Sequence, residues 1–494
     1  AFGGSHRLYG SLSWAYLLET WDNAFHNDSK GMARNRQHRG FALDDVITPR
    51  ADLVVNLRYG LTRFILYDRP LSLGFDLSSL GFPAALVGLL DRKVTAFPQI
   101  VTDGYATLGY ASGFRNATTY HTFSGTVSHI RGNHSLRWGG EFRILQENNY
   151  NWGNVAPRIE FGTLWTRGPL DNSPAAPIGQ GLAAFLLGLP TTGYADRNAS
   201  YAEQSRYAAL FIQDDFKLTR NLTLNAGLRW ELELPVTERY NRTNRGFDFV
   251  TPNPVEPAAR AAYARNPIPQ VPVEQFRILG GLRFAGVGGQ PRGLFDTDWN
   301  NFAPRVGLAW RLGQAWVVRA GYGVFFNQMG ADRTDVYQQG FSQRTTLVPS
   351  LDNGLTFRAT LANPFPDGLL EPPGASLGLK TYLGRAPGFF TPTRKPGYLQ
   401  RWSFNIQREF PHRVLLEVGY VGSRGTGLDL SEQLDPIPAE YLSRSPVRDQ
   451  ATIDLLSRAV PNPFFGLPEF EGSGLAGRTV PLSQLLRPYP HFTG

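Results

Sequence analysis

Residues 222–230 read Leu-Thr-Leu-Asn-Ala-Gly-Leu-Arg-Trp, in which an apolar residue occupies almost every second position. Thr223, Asn225, Gly227 and Arg229 stand between the apolar positions. Successive side chains of a β-strand point to opposite faces, so this stretch predicts a strand with one apolar face and one polar face. The same alternation recurs along the chain, and its recurrence decides the fold class.

The alternation predicts a first strand followed by five hairpins with tight turns. The first strand covers Arg7 to Leu18, and a polar loop is expected from Glu19 to His38. The predicted hairpins are Gly40–Ile47 with Leu53–Thr62, Thr118–Ile130 with Ser135–Gln146, Tyr207–Lys217 with Leu222–Leu234, Phe302–Arg311 with Ala315–Phe326, and Leu399–Phe410 with Val414–Gly422. We expect about a dozen strands, each close to the ~9 to 11 residues that cross a bilayer at a tilt.

Long segments rich in proline, glycine and asparagine separate the hairpins, and we expect them to be irregular. These segments are 68–103, 148–206, 235–300, 327–397 and 423–494. Loops beyond about 12 to 15 residues are uncommon in a compact soluble domain. Outer-membrane barrels, by contrast, combine short periplasmic turns with long extracellular loops. The sequence therefore predicts an all-β fold, a transmembrane antiparallel β-barrel with up-and-down topology and its tight turns in the periplasm.

The composition of the chain favours strands and turns over helices. The 494 residues include 53 glycines, 36 prolines and 13% aromatic residues, but no cysteine. The longest apolar stretches, such as 183–187, are far shorter than the ~18 residues that a membrane-spanning helix needs. Without cysteine the chain has neither a disulfide framework nor a thiolate metal site.

The charge of the chain comes almost entirely from arginine. The net charge is +8, and only five of the 49 basic residues are lysine. Such a balance can indicate a nucleic-acid partner, but here the arginines are spread through the predicted strands and form no basic patch. We therefore expect no binding of nucleic acid.

The two faces of the predicted strands differ in chemistry. Charged residues fall on the face expected to line the barrel lumen, and they are Arg58, Arg137, Glu141, Arg143, Arg229, Glu231, Arg305, Arg319, Arg401 and Glu417. Aromatic residues share the other face with leucine, valine and isoleucine, as expected for a girdle at the lipid headgroups. The girdle candidates are Trp14, Tyr16, Tyr59, Trp138, Trp230, Trp310, Trp316, Trp402 and Tyr420.

Two interpretations of the lumen charges are open. The arginines could pair with carboxylates on neighbouring strands or on a domain inside the barrel, or they could guide an anionic ligand. We favour pairing. If the arginines guide a ligand instead, replacing Arg229 and Arg305 by glutamine should reduce its uptake.

No enzyme motif is found in the sequence. Gly321–Gly323 and Gly419–Gly425 lie within or just after predicted strands and precede no helix, so they do not fit a phosphate-binding loop. The eight histidines show no metal-ligand spacing. Asp44–Asp45 and Asp214–Asp215 would point to opposite faces of a strand and cannot act as dyads. We expect no catalytic residue, no cofactor and no metal.

Several segments resemble the barrel of TonB-dependent transporters, in the Oar-like branch of that family. The segments are Phe211–Thr219 (FIQDDFKLT), Leu222–Trp230, Asn300–Gly307 (NNFAPRVG), Arg319–Phe326 (RAGYGVFF), Leu416–Thr426 (LEVGYVGSRGT) and Leu485–Pro490 (LLRPYP). They are spread over most of the chain, and as a set they are specific.

The resemblance implies a bacterial outer-membrane barrel of roughly 22 strands with an N-terminal plug inside it. It also implies energy from the TonB complex, which binds a TonB box, and usually a small regulatory domain ahead of the plug. Residues 1–494 then correspond to an incomplete barrel portion, without the plug, the regulatory domain and the last strands. The implied partners are outer-membrane lipid, the TonB complex through an N-terminal region, and an unidentified ligand.

The resemblance implies that the protein is a receptor and transporter for a bulky ligand captured by the outer loops. The alternative is a non-transporting surface protein on the same barrel, acting in adhesion, secretion or assembly with other envelope proteins. A soluble β-propeller lectin or hydrolase would require strands at a fixed repeat, whereas the loops here differ widely in length.

Overall fold

The computed structural model describes residues 5–168, 174, 178–328, 339–352 and 354–494. Its strands are β1 (His6–Trp21), β2 (Met32–Arg50), β3 (Leu53–Pro70), β4 (Gln99–Thr102), β5 (Phe114–Arg131), β6 (His134–Asn151), β7 (Arg158–Phe161), β8 (Thr192–Asn198), β9 (Tyr201–Thr219), β10 (Leu222–Glu238), β11 (Asn244–Pro252), β12 (Leu279–Phe284), β13 (Asn301–Leu312), β14 (Trp316–Phe326), β15 (Ser342–Thr346), β16 (Tyr398–Phe410), β17 (Val414–Thr426), β18 (Ala459–Pro461) and β19 (Thr479–Pro481). The α-helices are α1 (Ala84–Leu89), α2 (Gln180–Leu186), α3 (Glu256–Tyr263), α4 (Gln450–Ser457) and α5 (Leu482–Leu485).

The long strands form one antiparallel sheet of eleven strands. Their order is β1-β2-β3-β5-β6-β9-β10-β13-β14-β16-β17, so each long strand pairs with the next long strand along the chain. This arrangement confirms the predicted up-and-down topology. Within the described residues, β1 and β17 each have one neighbour in this sheet and do not pair with each other.

The stretch that predicted the fold lies in the middle of the sheet. In β10, Leu228 is opposite Ile212 of β9 and Pro304 of β13. Arg229 is opposite Phe211 and belongs to the other face. Because the side-chain period of a strand is two, this register keeps the apolar residues of neighbouring strands on one face.

Several strands extend beyond their predicted ends, and the prediction of a polar loop over 19–38 is wrong in its bounds. β1 continues to Trp21 and β2 begins at Met32. Residues 34–39 read Arg-Asn-Arg-Gln-His-Arg, so both faces of this part of β2 are polar and no alternation marks it as a strand. The segment is nevertheless extended because its backbone pairs with β1 on one side and β3 on the other.

The long segments are also more ordered than predicted, because two hydrophobic cores form among them. The first loop cluster contains α1, α2 and a four-stranded sheet of order β15-β8-β7-β4. Trp152, Ile159, Phe161 and Ala195 are almost fully buried in this cluster. Its residues come from the connections β3 to β5, β6 to β9 and β14 to β16, which the cluster joins into one unit.

The second loop cluster contains α3, α5, the β11-β12 pair and the β18-β19 pair. Its core is rich in aromatic side chains, with Tyr263 and Phe276 stacked at 3.9 Å between ring centroids. Phe464 and Phe492 of the segment after β17 are completely buried in the same core. Both clusters lie beyond the strand ends opposite the tight turns. Among the described residues, no helix combines the length and the apolar character needed to cross a membrane.

Candidate functional site

The apolar residues of the sheet are its exposed residues. In β9, Leu210 and Ile212 are 60% and 55% exposed, whereas Ser205, Tyr207 and Ala209 are buried. A water-soluble sheet shows the reverse pattern, with its apolar face covered. We name the face of Leu210 and Ile212 the outer face, and the opposite face the inner face.

All the predicted girdle aromatics lie on the outer face. The strand register places them there together: Trp14, Tyr16, Tyr59, Trp138, Trp230, Trp310, Trp316, Trp402 and Tyr420. The prediction that they form a girdle depends in addition on their depth in the bilayer.

The aromatic residues occupy different heights along the strands. Trp310 and Trp316 lie beside the tight turn between β13 and β14. Trp230 and Trp402 lie eight residues from their tight turns, and Trp14 lies opposite Arg39, which is eleven residues from the tight turn of β2. These residues therefore lie roughly 20 to 28 Å above the tight turns along the normal of a tilted sheet. This separation matches the apolar band of outer-membrane barrels, about 25 Å tall. Tyr59, Trp138 and Tyr420 lie between the two levels, at mid-depth rather than at a headgroup layer.

A charge network on the inner face connects three strands. Arg229 of β10 donates to Glu231 (2.7 Å), to Glu141 of β6 (3.1 Å) and to the Tyr207 hydroxyl of β9 (3.0 Å). Arg143 donates to Glu141 and lies over the Tyr207 ring at 5.1 Å. The side chains of Arg229, Glu141 and Glu231 are about four-fifths buried, and that of Arg143 is 39% exposed. Each of these charges therefore has a partner within the barrel wall. Here the predicted lumen charges pair with each other within the wall, either along one strand or across β9.

Other predicted lumen residues also have partners on adjacent strands. Arg58 donates through Nε to Asp44 of β2 at 2.7 Å. Glu417 of β17 accepts from Gln407 (3.0 Å) and from Asn405 of β16. In the sequence Asp44 is recognisable only as half of an acid pair, whereas the register between β2 and β3 places it opposite Arg58.

Four of the predicted lumen arginines, Arg137, Arg305, Arg319 and Arg401, have no carboxylate partner among the described residues. Arg137, Arg305 and Arg401 share one row across the sheet. The intervening residues of this row are Gln213 on β9, Gly227 on β10 and Gly323 on β14. We call these three arginines the arginine strip. Neighbouring strands lie about 4.8 Å apart, so the strip spans roughly 24 Å.

Asp215 of β9 lies on the same face as the arginine strip, one inward position from the Gln213 that is opposite Arg137. It accepts from Gln213 (3.4 Å) and from Asn225, and among the described residues it forms no ion pair with the arginine strip. Arg305 lies over the Phe325 ring at 4.7 Å, and Arg319 lies on the same face nearer the tight turn. Arg137, Arg229 and Arg305 line a shallow cavity of about 290 Å³. This part of the inner face is therefore positively charged.

A larger cavity of about 500 Å³ lies at the end of the inner face nearest the loop clusters. We call it the rim cavity, and its lining residues are Phe114, Asn149, Asn151, Asn198, Ala199, Tyr201, Gln339, Gly340, Ser342 and Tyr382. No sequence motif marks this cavity, because its residues come from segments that lie far apart in the chain. Within the described residues, no cluster of three or more histidine, aspartate or glutamate side chains could hold a metal ion.

An antiparallel meander with an exposed apolar face and a polar inner face is the wall of a transmembrane β-barrel. The chain belongs to the outer membrane beta barrel domain family, whose model matches residues 1–494. The predicted outer-membrane location is therefore confirmed. No relative with significant sequence similarity is found among curated proteins.

Similar solved structures are outer-membrane receptors and transporters. The alcaligin receptor FauA of Bordetella pertussis is 8% identical with a TM-score of 0.39, over 97% of this chain and 46% of the receptor. The transporter YddB of Escherichia coli is 10% identical with a TM-score of 0.43, over 85% and 38%. The ferripyoverdine receptor of Pseudomonas aeruginosa is 11% identical with a TM-score of 0.29, over 91% and 51%. The chain spans about half or less of the length of these proteins, and the likeness concerns the fold alone.

Proposed function

We propose that this chain forms part of the barrel wall of a TonB-dependent receptor that imports a bulky ligand across the outer membrane. The single observation that carries the proposal is the structured mouth of the inner face. Two loop clusters with their own cores stand over it, and together with β5, β6 and β9 they line the rim cavity. A rigid, concave site above a polar interior is suited to capturing a ligand before it passes through the wall.

The arginine strip supports a barrel that is filled rather than empty. Arg137, Arg305 and Arg401 face the interior without carboxylate partners in the described wall. Acidic groups of a plug domain inside the barrel would compensate these charges. We also propose that further strands complete the barrel, since the edges at β1 and β17 must find backbone partners in a bilayer.

The experiment uses the full-length protein in its native outer membrane, in cells with and without TonB. Fluorescently labelled compounds of above about 600 Da, both ferric chelates and oligosaccharides, are offered, and accumulation is measured. We expect at least one compound to accumulate only when the gene is present and TonB is active. Accumulation that depends on the gene but is unchanged without TonB, or a complete lack of gene-dependent accumulation, contradicts the proposal.

A second candidate function, assembly with another envelope protein, is favoured by exposed apolar residues on the first loop cluster. Leu186 and Leu355 are 75% and 85% exposed, and the segments that carry them are joined by a hydrogen bond from Leu361 N to Gly188 O of 2.9 Å. These side chains are candidates for a contact with another protein, since contiguous exposed apolar surface marks such contacts. Photo-crosslinking from position 355 in intact cells tests this candidate. A discrete adduct with one envelope protein would support it, and a lack of adducts would contradict it.

A further inference from the structure

We propose that the rim cavity binds a neutral, polyhydroxylated ligand, and specifically an oligosaccharide. The inference rests on the proposed function and adds the class of ligand to it. The cavity of about 500 Å³ falls in the range of about 300 to 1,000 Å³ that is typical of small-molecule sites. Its walls come from β5, β6 and β9 below and from segments of both loop clusters above.

Several polar side chains of the cavity wall have hydrogen-bonding groups that the described residues do not use. Asn149, Ser342 and Tyr382 have no side-chain hydrogen bond in the described residues, and Asn149 and Tyr382 are half-buried. Gln339 accepts a bond from Gly388 N (2.7 Å) through its carbonyl oxygen, which leaves its amide donors available. Asn198 donates to Asn151 O (3.0 Å), which leaves its own carbonyl oxygen available. Asn149 thus offers both donors and an acceptor, Gln339 offers donors and Asn198 offers an acceptor, a set suited to hydroxyl groups, which donate and accept hydrogen bonds.

The lining also contains three aromatic rings. The rings of Phe114, Tyr201 and Tyr382 are half-buried at the cavity wall. The face of an aromatic ring carries negative charge density and attracts the weakly positive C–H groups of a sugar ring. The mixture of amides and aromatic faces therefore matches both surfaces of a carbohydrate.

The backbone at Tyr382, one of these aromatic residues, has an uncommon conformation. Tyr382 has a φ of 70°, a conformation that non-glycine residues seldom adopt. Such strain is found preferentially where a side chain must be held in a functional position. Arg385 lies over the same ring at 5.7 Å and restricts its movement. The structure thus fixes one aromatic face at the cavity before any ligand binds.

The charge of the lining selects against ionic ligands. None of the ten lining residues is Arg, Lys, Asp or Glu, although 18% of the chain is charged. The arginine strip, which would attract anions, lies farther toward the tight turns on the same face. A phosphorylated or carboxylated ligand would find no counter-charge among the lining residues and would lose its hydration there.

In the experiment, titration calorimetry measures the affinity of four probes for the full-length protein in detergent. The probes are maltohexaose, cellohexaose, mannohexaose and hexagalacturonate. Asn149→Leu removes an inward amide of β6, and Asn148→Leu is the matched control because the adjacent side chain belongs to the outer face. Electrophoretic heat-modifiability confirms that both variants are folded.

We expect at least one neutral hexasaccharide to bind, and Asn149→Leu to weaken that binding at least tenfold while Asn148→Leu changes it less than twofold. Hexagalacturonate should bind at least tenfold more weakly. The inference is overturned if no neutral probe binds at millimolar concentration, if hexagalacturonate binds best, or if the two variants behave alike. This assay needs no TonB, so a negative result contradicts only the ligand class. The proposed function is tested separately, by the uptake experiment.

Discussion

At the scale of single residues, Arg229 shows how a partly buried charge is stabilised within the barrel wall. Its guanidinium is shared by Glu141 of β6 and Glu231 of β10, so removing it leaves these two carboxylates, which lie on either side of β9, without their common cation. We predict that Arg229→Gln lowers the free energy of unfolding by about 2 kcal/mol, because partly buried acceptors lose charged hydrogen bonds. Urea titration of the protein in lipid vesicles, followed by electrophoretic heat-modifiability, measures this change.

The matched control for Arg229 is Arg319→Gln on the same face. Arg319 has no carboxylate partner among the described residues, so its replacement should change the free energy of unfolding by less than about 0.5 kcal/mol. An equal loss of stability in the two variants would show that the network around Arg229 contributes nothing specific.

Two buried titratable groups in the second loop cluster respond to pH in opposite ways. Asp435 is fully buried and accepts from Tyr489 N at 2.8 Å, and burial raises the pKa of its carboxyl to about 6. His491 is also fully buried, and burial lowers the pKa of its imidazole to about 3. The folded cluster thus holds an extra proton on Asp435 between about pH 4 and 6, and lacks one on His491 between about pH 3 and 6.5.

We predict that the two contributions largely cancel between pH 4 and 6, so the cluster has nearly constant stability there. In Asp435→Asn only His491 remains, and stability should rise with pH by up to about 1.4 kcal/mol per unit. Hydrogen exchange of residues 482–494, corrected for the intrinsic rate, measures this through the Phe492 N and Thr493 N bonds. In His491→Leu the slope should be reversed, and unchanged slopes in both variants would contradict the assignment.

At the scale of the strand, the two faces of β16 predict opposite responses to the same substitution. Phe404 is 47% exposed on the outer face about six residues from the tight turn, which places it near the bilayer midplane. Phe404→Arg should cost about 2 to 4 kcal/mol of folding free energy, because a charge on the lipid face must be desolvated. Folding into lipid vesicles, measured by heat-modifiability, should therefore decrease strongly.

Ser403 is the matched control, since it precedes Phe404 and lies on the inner face opposite Gly321. Ser403→Arg places the same charge in the polar interior and should fold with nearly unchanged yield. If Ser403→Arg were the more damaging of the two, the assignment of the faces would be reversed.

The strand centres could be predicted from the sequence because lipid contact imposes a strict two-residue period. The period ends where strands rise above the lipid, as in residues 34–39 of β2 and 146–149 of β6, whose side chains are polar on both faces. Their extended conformation comes from pairing with neighbouring strands, which a local pattern does not record. The loop clusters were not predicted for a related reason, since residues of one core, such as Trp152 and Phe365, come from segments far apart in sequence.

The candidate site was predictable only in part, for the same physical reason. Assigning Arg229, Glu141 and Glu231 to one face required only the period of the strands, and their contacts followed from the register. The rim cavity required knowledge of which loops meet, because Asn149 and Tyr382 approach each other only in the folded chain. A cavity between separate segments has no signature in a single sequence.

At the scale of the whole molecule, the surface has three zones that suit different surroundings. One end of the sheet carries tight turns, the middle exposes leucine and aromatic residues, and the other end carries two clusters with their own buried cores. This order matches a barrel whose short turns lie in the periplasm and whose long loops face the outside. The orientation itself stays a prediction, and it can be tested directly.

The absence of cysteine makes the orientation measurable with single labels. Leu355→Cys lies on the first loop cluster, where the native side chain is 85% exposed, and Asn133→Cys lies in the tight turn between β5 and β6. We predict that a membrane-impermeant maleimide labels intact cells at position 355 but not at position 133. Both positions should react after the outer membrane is permeabilised, which controls for accessibility. Labelling of position 133 alone in intact cells would invert the proposed topology and place the rim cavity in the periplasm.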